Sequence, residues 1–313
     1  MERRRLYVEI QDWLEERKRP SVKALTYDRL VISLRLMEKY DISNKQTNNI
    51  TSSDIQRYLN QLAFDGYGIS TIKKQYNLIT AWWKYAMSCG IVVRPVYMDI
   101  CLPNEENLVK AHREIEAYEH DEQERMADIL LTLERPQYAV ILLLLETGMR
   151  VGEALALKWA DILWNRQAVA IKSTLVRLSS EPGVTYIQNS PKSRTSKRVI
   201  PLSDRAFDVL KRVRSEQRIA SELIFPSSDN VKLPFSYSSI EYQARRLCKL
   251  LDIPYKGLHA FRHTFATNCY ERGCDVKILS KLLGHADVAI TYNIYIHLYG
   301  DALEEMRKAL GES

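Results

Sequence analysis

The stretch QYAVILLLLETGMRVGE, residues 137–153, decides the fold of this chain. Its first ten residues are mostly apolar and contain neither Gly nor Pro, which predicts an apolar helix. That apolar run is far shorter than the roughly 20 residues a membrane-spanning helix needs. Gly148 and Gly152 then allow a tight turn and a close approach of the backbone. The stretch therefore predicts a helix followed by a turn that presents Arg150, with Glu153 near enough to hold it.

The residues from 121 to the C-terminus, which include this stretch, alternate between two periodicities. Segments rich in β-branched residues predict strands, and segments with apolar residues three and four apart predict helices. The second half of the chain is therefore expected to be mainly α with a small antiparallel sheet. The predicted helices are Asp121–Leu133, Gln137–Glu146, Ser203–Ala220, Ser238–Leu251, Gly257–Glu271 and Val276–Leu283, and the predicted strands are Ala168–Leu175, Val184–Gln188 and Arg198–Leu202.

The residues on the N-terminal side predict a separate module of four helices. The first ends before Pro20, and Ser21 is a candidate cap for the second. Thr51 is a candidate cap for the third, with Asp54 three residues later in the position of a capping box. The module spans roughly one hundred residues, a normal domain size. Besides the second helix, the predicted helices are Tyr7–Arg19, Ile55–Phe64 and Ser70–Met87.

Charge divides the chain in the same place. The formal charge is +5 over residues 1–103, −5 over residues 104–125 and +6 over the remainder. An acidic segment that follows Pro95 and Pro103 is typical of a linker. We predict a mainly α protein with an N-terminal helical domain, 1–103, a linker, 104–120, and an α+β domain with a small antiparallel sheet, 121–313.

Composition excludes several classes of protein. The charged, amphipathic N-terminus is unlike a secretory signal, so we predict a cytoplasmic protein. Five scattered cysteines without a Cys-x-x-Cys pair predict free thiols instead of a disulfide framework or a zinc knuckle. The chain contains no Gly-x-x-x-x-Gly-Lys-Ser/Thr phosphate loop. The net charge of +6 is compatible with a nucleic-acid partner but is not specific for one.

Three further motifs carry polar chemistry. PKSRTSKR, residues 191–198, lies between two predicted strands and suits contact with a phosphate backbone. His259, Arg262 and His263 share one face of a predicted helix. LLGH, residues 282–285, precedes a group of tyrosines. Each motif alone is a weak indication of function.

Taken in order, these motifs resemble the tyrosine recombinase, or phage-type integrase, family. In that family Thr-Gly-x-Arg-x-Gly-Glu, a hairpin Lys, His-x-x-Arg, Leu-Gly-His and a downstream Tyr follow one another. The long stretch Ser173–Gln188 makes integrases of phages and conjugative transposons the nearer resemblance. The resemblance implies a core-binding domain at 1–103, a catalytic domain at 121–313, and catalytic residues Arg150, Lys192, His259, Arg262, His285 and Tyr295, supported by Glu153.

The resemblance also implies the reaction. The chain is expected to be a site-specific DNA recombinase that cleaves and rejoins DNA through a 3′-phosphotyrosyl intermediate. No ATP, metal or other cofactor is expected, because arginines supply the positive charge that metal ions supply elsewhere. The implied partner is double-stranded DNA, bound by a homo-tetramer on two sites. Exchange of the C-terminal helix, Asp301–Leu310, between neighbouring subunits is implied as well.

Several residue assignments have competitors. The lysine role belongs to Lys192 because it follows Pro191, but Arg194 is nearby. Tyr295 fits the family pattern of aliphatic, Tyr, any residue, His better than Tyr292 does. His259 and His263 have the spacing of a zinc-binding helix, yet the glutamate of that motif is replaced by Ala260, so no metal site is predicted. Candidate DNA-binding residues are Lys73, Lys74, Arg194 and Lys197.

Two other functions remain open from the sequence. A type IB topoisomerase uses closely similar chemistry on a single duplex. A DNA-binding regulator could keep the fold and lose the activity, although the presence of all six motif residues argues against this. N-terminal arm-binding domains are common in integrases, and we expect none within these 313 residues.

Overall fold

The computed structural model describes residues 4–104, 108, 116–181, 185–188, 197–218, 220–285, 287–289 and 291. The chain forms two compact units. The first comprises residues 1–114 and 177–185, and the second comprises 115–176 and 186–313.

The first unit is helical around a core of aromatic and aliphatic side chains. Trp82 and Trp83 are both fully buried and pack edge to face at 5.1 Å between ring centroids. Aromatic pairs favour this geometry because the positive ring edge meets the negative ring face. The tryptophans are therefore core residues. The helices are α1, Leu6–Trp13, extended by a π-helical turn Leu14–Lys18; α2, Ala24–Met37; α3, Ser52–Phe64; and α4, Ile69–Ser88.

The starts of α2 and α3 test the two predicted caps. The Asp54 backbone N–H donates to Thr51 Oγ1 at 3.3 Å, and the Thr51 N–H donates to Asp54 Oδ2 at 3.0 Å, so the capping box is confirmed. The Ser21 prediction is wrong: α2 begins later, after Lys23, which offers no side-chain cap. Ser21 instead donates its hydroxyl to the Arg17 carbonyl at 2.7 Å, because that helical turn leaves its last carbonyls without partners.

Residues 177–185 belong to the first unit although the chain reaches them much later. Asp28 is buried and accepts hydrogen bonds from the Ser180 backbone N–H at 2.6 Å and from its hydroxyl at 2.5 Å. Arg35 donates to the Ser180 carbonyl at 3.0 Å. Burial alone would raise the pKa of Asp28, but the hydrogen bonds from Ser180 hold it below its usual value.

The second unit is built around the apolar helix Pro136–Thr147. Every residue from Tyr138 to Leu145 is buried, because other helices pack around this one. A helix that is apolar on all sides is stable in water only when it is enclosed in this way. No helix in the described parts of the chain is long and apolar enough to cross a membrane. The helices are α5, His120–Thr132; α6, Pro136–Thr147; α7, Val151–Leu155; α8, Asp204–Glu216; α9, Tyr237–Leu250; α10, Leu258–Glu271; and α11, Val276–Leu283.

Two small sheets accompany these helices. The first has the order β1-β2-β5 with antiparallel pairing, and Ile171 at the end of β2 faces Arg198 at the start of β5. The second consists of β3 and β4. The predicted class, mainly α with a small antiparallel sheet, is confirmed. The strands are β1, Ile162–Leu163; β2, Ala168–Ile171; β3, Thr174–Arg177; β4, Thr185–Gln188; and β5, Arg198–Pro201.

The predicted strand Ala168–Leu175 is divided in the structure. β2 ends at Ile171 and β3 begins at Thr174 in the other sheet. Lys172 leaves the ladder to pair with Asp161 at 2.8 Å, and Ser173 donates its hydroxyl to the Ala156 carbonyl at 3.4 Å. Periodicity alone could not place this break, since the residues on both sides favour strands.

Candidate active site

The turn after α6 depends on Gly148. This residue ends the helix in the left-handed region, with φ of +61°. A β-carbon here would overlap the ring of Phe265 on α10, so the turn and α10 meet as closely as glycine allows. Arg150 follows as the residue that precedes the first turn of α7. The sequence prediction of a tight turn that presents Arg150 is therefore supported by this geometry.

Glu153 holds Arg150 in place. The Arg150 backbone N–H donates to Glu153 Oε2 at 2.8 Å, and Nη1 donates to Oε1 at 3.0 Å. The Arg150 side chain is 38% exposed, whereas that of Glu153 is only 6% exposed. Burial alone would raise the pKa of Glu153, but hydrogen bonds from Arg198 and the charges of both arginines lower it below its usual value. The carboxylate is therefore a fixed anion that orients cations.

Arg198 is the second cation on this carboxylate, and the sequence motifs gave it no role there. Its Nη1 and Nη2 donate to Glu153 Oε1 and Oε2 at 3.0 and 2.8 Å. Only 5% of its side chain is exposed. The sequence already placed Arg198 at the start of a predicted strand, because Val199 and Ile200 are β-branched, but it contained no signal that Glu153 is its partner.

Arg262 lies at the centre of the cluster. It is a buried residue of α10, and its Nη1 donates to the Gly148 carbonyl at 2.9 Å while Nη2 donates to the Leu283 carbonyl at 2.7 Å. A guanidinium is planar, so two bonds to separate elements fix its orientation. Arg262 thereby joins the Arg150 turn to the end of α11.

The Leu-Gly-His motif ends α11. Gly284 adopts φ of +68°, and the His285 N–H returns to the Ser280 carbonyl at 3.1 Å, which is a glycine-dependent helix end. The His285 side chain then meets Thr291, with 2.7 Å between Nδ1 and Oγ1. The motif is therefore a helix terminus that turns His285 toward the arginines.

Three successive carbonyls at the end of α11 each accept a hydrogen bond from a different arginine. The last carbonyls of a helix lack partners within it and carry partial negative charge, so cations are favoured there. The three bonds fasten the residues just before His285 to three other parts of the unit. They run from Arg198 Nε to Leu282 at 2.5 Å, from Arg262 Nη2 to Leu283 at 2.7 Å, and from Arg150 Nη2 to Gly284 at 3.3 Å.

The histidines of the cluster are held neutral. Burial, and then the charges of Arg262 and Arg150, lower the pKa of His285 to about 4. Partial desolvation, together with the same two arginines, also lowers the pKa of His259. Burial, His259 and Arg262 lower the pKa of His263 to about 4. At neutral pH these rings can therefore accept a proton or donate a hydrogen bond, but they add no positive charge.

The structure brings together Arg150, Glu153, Arg262, His259 and His285, although the chain separates the first from the last by 135 positions. Lys73 and Lys74 are exposed on α4 of the first unit, and Lys197 is exposed in the second. Among the described residues, no group of three or more His, Cys, Asp or Glu side chains could hold a metal ion. Some of the predicted site residues lie outside the described residues. They are Lys192, Arg194, Tyr292, Tyr295 and the segment 301–310.

Comparison with curated proteins finds relatives over nearly the whole chain. A tyrosine recombinase XerC-like protein of Caldanaerobacter subterraneus subsp. tengcongensis is 28% identical over 305 residues, which cover 91% of this chain and 77% of the relative. The integrase of Staphylococcus phage L54a is 25% identical over 325 residues, which cover 96% and 91% of the two chains.

Among solved structures, the integrase of transposon Tn1549 in complex with transposon right end DNA has the same fold. Its TM-score is 0.80 at 20% identity, and the match covers 98% of this chain and all of that chain. The profile of the phage integrase family matches residues 116–301, more than half of this chain. The chain therefore belongs to the phage integrase family and is a tyrosine recombinase, as its ordered motifs predict.

Proposed function

We propose that this protein is a site-specific DNA recombinase that breaks and rejoins DNA through a covalent 3′-phosphotyrosyl link at Tyr295. The observation that carries the proposal is the convergence of Arg150 and Arg262 on one helix end beside His285. The relatives named above are recombinases and integrases, and the Tn1549 integrase is bound to DNA.

The arginines are the groups that would stabilise the transition state. Attack on a phosphodiester increases the negative charge on its nonbridging oxygens, and donors already in position stabilise this charge best. Arg150 carries an exposed guanidinium that Glu153 and the Gly284 carbonyl orient. Arg262 is fixed by two carbonyls. Both arginines stay charged at any physiological pH.

The histidines and the lysine would handle protons and hydrogen bonds. His285, held neutral, would donate a hydrogen bond to the phosphate instead of a third positive charge. His259, whose pKa is lowered, would accept the proton of the Tyr295 hydroxyl, since a tyrosine with a pKa near ~10 is a weak nucleophile when protonated. Lys192 would protonate the leaving 5′ oxygen.

In each step, every bond that forms is matched by one that breaks, and no added source of energy is required. The Tyr295 oxygen forms a bond to phosphorus while the bond to the 5′ oxygen breaks, and that oxygen leaves with the proton from Lys192. A 5′-hydroxyl from a second duplex then attacks the phosphotyrosine: its oxygen forms the new bond to phosphorus while the bond to the Tyr295 oxygen breaks. The proton of the hydroxyl passes to Lys192, and His259 returns its proton to Tyr295. The scheme needs neither ATP nor a metal cofactor.

The remaining parts of the proposal concern DNA binding and assembly. The first unit would act as the core-binding domain, with Lys73 and Lys74 facing the phosphate backbone. Arg194 and Lys197 would contact DNA from the basic loop. Strand exchange between two duplexes requires four active subunits, so we propose a homo-tetramer in which the segment Asp301–Leu310 docks on a neighbouring subunit.

The test is formation of a covalent adduct. Duplexes selected from a random-sequence pool by binding to the protein would be labelled at the 5′ end and nicked at successive positions, so that the released fragment diffuses away. We expect a labelled protein band on a denaturing gel, lost in Tyr295→Phe and retained in Tyr292→Phe. A band that persists in Tyr295→Phe would exclude Tyr295 as the nucleophile.

The same materials separate the two competing functions. A type IB topoisomerase would relax a supercoiled plasmid that lacks the selected sequence, and it would act as a monomer. An inactive regulator would bind the duplex without forming an adduct in the wild-type protein. A recombinase forms the adduct and joins two duplexes that carry the selected sequence.

A further inference from the structure

Arg198 is a buried cation that the proposed chemistry leaves without a role. Its guanidinium donates to both oxygens of Glu153, and its Nε donates to the Leu282 carbonyl at 2.5 Å. Only 5% of its side chain is exposed. Its described hydrogen bonds therefore go to protein groups and not to solvent. Burying an ionised group costs several kcal/mol unless charged partners compensate, so its place in the core requires an explanation.

The partners of Arg198 lie on both sides of the proposed site. Glu153 is shared with Arg150, which receives its orientation from the same two carboxylate oxygens. Leu282 is the first of the three carbonyls before His285. Arg198 is therefore hydrogen-bonded directly to the carboxylate that orients Arg150. It is also hydrogen-bonded to the turn that positions His285.

Gly284 supplies an independent sign that the fit around Arg198 is tight. A β-carbon on Gly284 would lie 2.9 Å from Arg198 Nη1 and 3.2 Å from its Cζ. The guanidinium therefore packs against the backbone of the residue that precedes His285. Along the chain, Arg198 follows Lys192 by six positions.

We propose that Arg198 is a positioning residue of the recombination site. It acts through Glu153 on Arg150 and through the Leu282–Gly284 turn on His285, and it has no contact with the reacting phosphate. This inference rests on the function proposed above. It goes beyond that function by placing control of the cleavage rate in a residue to which the family resemblance assigns no role.

The first test is Arg198→Lys in single-turnover cleavage of the nicked duplex, with DNA binding measured separately. Lysine keeps the charge but lacks the planar fork that holds both Glu153 oxygens and Leu282 together. We expect binding within about twofold of wild type and a cleavage rate on the order of tenfold to a hundredfold lower, since small displacements of reacting groups have effects of that size.

The matched control is Arg212→Lys. Arg212, on α8, also donates to a carbonyl near a helix end, that of Leu131 at 2.5 Å, but it forms no hydrogen bond or ion pair with the described residues of the site. We expect it to leave both binding and cleavage unchanged. Equal loss of binding and cleavage in Arg198→Lys, or a loss of the same size in Arg212→Lys, would overturn the inference because either result indicates a purely structural role.

The second test asks whether Arg198 acts through Glu153. If it does, Arg198→Lys should slow cleavage much less in a Glu153→Gln background than in the wild type, because the orienting carboxylate is already lost. Fully independent effects in this double-mutant cycle would contradict the inference. If Arg198→Lys does not fold, as judged by circular dichroism, Arg198→Gln takes its place in both tests, since it retains one donor for Leu282.

Failure of the inference and failure of the proposed function give different results. If the wild-type protein forms no adduct, the proposed function is wrong. If the wild type forms an adduct that Tyr295→Phe abolishes, while Arg198→Lys cleaves at the wild-type rate, only the positioning role is wrong.

Discussion

Arg198 and Glu153 form a two-point ion pair, with nitrogen–oxygen distances of 3.0 and 2.8 Å and side chains that are 5% and 6% exposed. The pair joins the start of β5 to α7. It lies beside the turn that presents Arg150, so its loss affects both the stability of the unit and the geometry of the site.

Glu153→Gln is expected to destabilise the second unit by about 3–5 kcal/mol, since removing one charge leaves a buried partner uncompensated. The effect depends on pH. The pKa of Glu153 is lowered by folding, so its contribution is present above the ordinary value of 4.5 and is lost as the pH falls below that value. Urea denaturation at pH 7 and pH 3 should show a difference between wild type and variant that shrinks in acid. A difference independent of pH would contradict this account.

His285 is expected to titrate far below an ordinary histidine. Its pKa of about 4 lies below the usual 6.5, so the unfolded chain binds more protons between these values. Stability should therefore fall as the pH drops from 6.5 toward 4, and His285→Asn should flatten part of this slope. NMR of the imidazole protons, assigned with the variant, measures the pKa directly, and a midpoint near 6.5 would show that the ring is not held neutral.

Gly148→Ala should be among the more damaging small substitutions. It places a β-carbon against Phe265, and the positive φ of this position is unfavourable for alanine. Gly273→Ala is the matched control, because Gly273 has φ of +80° but no neighbour within 4 Å of the added carbon. We expect Gly148→Ala to cost about 1–3 kcal/mol more than the control in the free energy of unfolding. Equal costs would mean that the turn and α10 can separate without penalty.

Arg150→Ala should separate cleavage from binding. Removal of a donor aimed at developing charge typically lowers the rate by about 10²–10³. Binding should change little, because many other contacts hold a duplex. Arg245→Ala is the control, since Arg245 also pairs with a glutamate on its own helix, Glu241, but on an exposed surface. If Arg150→Ala abolished binding as well, the catalytic role proposed for Arg150 would be in doubt.

Lys73→Ala and Lys74→Ala should weaken DNA binding without changing which sequence is preferred. Each lost phosphate contact is expected to lower the slope of log K against log salt concentration by about 1. Lys232→Ala replaces an exposed lysine of the second unit and serves as the control. Unchanged slopes in all three variants would remove α4 from the proposed DNA interface.

Much of the fold can be predicted from local patterns in the sequence. The apolar run before Gly148, the Thr51–Asp54 capping box and the helix that ends at Leu283 all lie where periodicity and caps predict them. These features depend on residues that are close in the chain. The division of the strand at Lys172 depends on the carboxylate of Asp161, which another segment supplies, so local patterns could not indicate it. The misplaced cap at Ser21 is a local error, because its hydroxyl bonds the Arg17 carbonyl only four residues earlier.

By itself, the sequence determined the fold class, the family and the order of the motif residues, because residue types and helical spacing are local properties. Only the tertiary structure decided which cations share an acceptor. The sequence placed Arg198 at the end of a basic motif and the start of a strand without naming a partner, whereas in the structure its side chain is buried against Glu153 and Leu282. The physical reason is that a buried arginine needs an anion and carbonyls to replace water, and here folding brings these partners from α7 and α11.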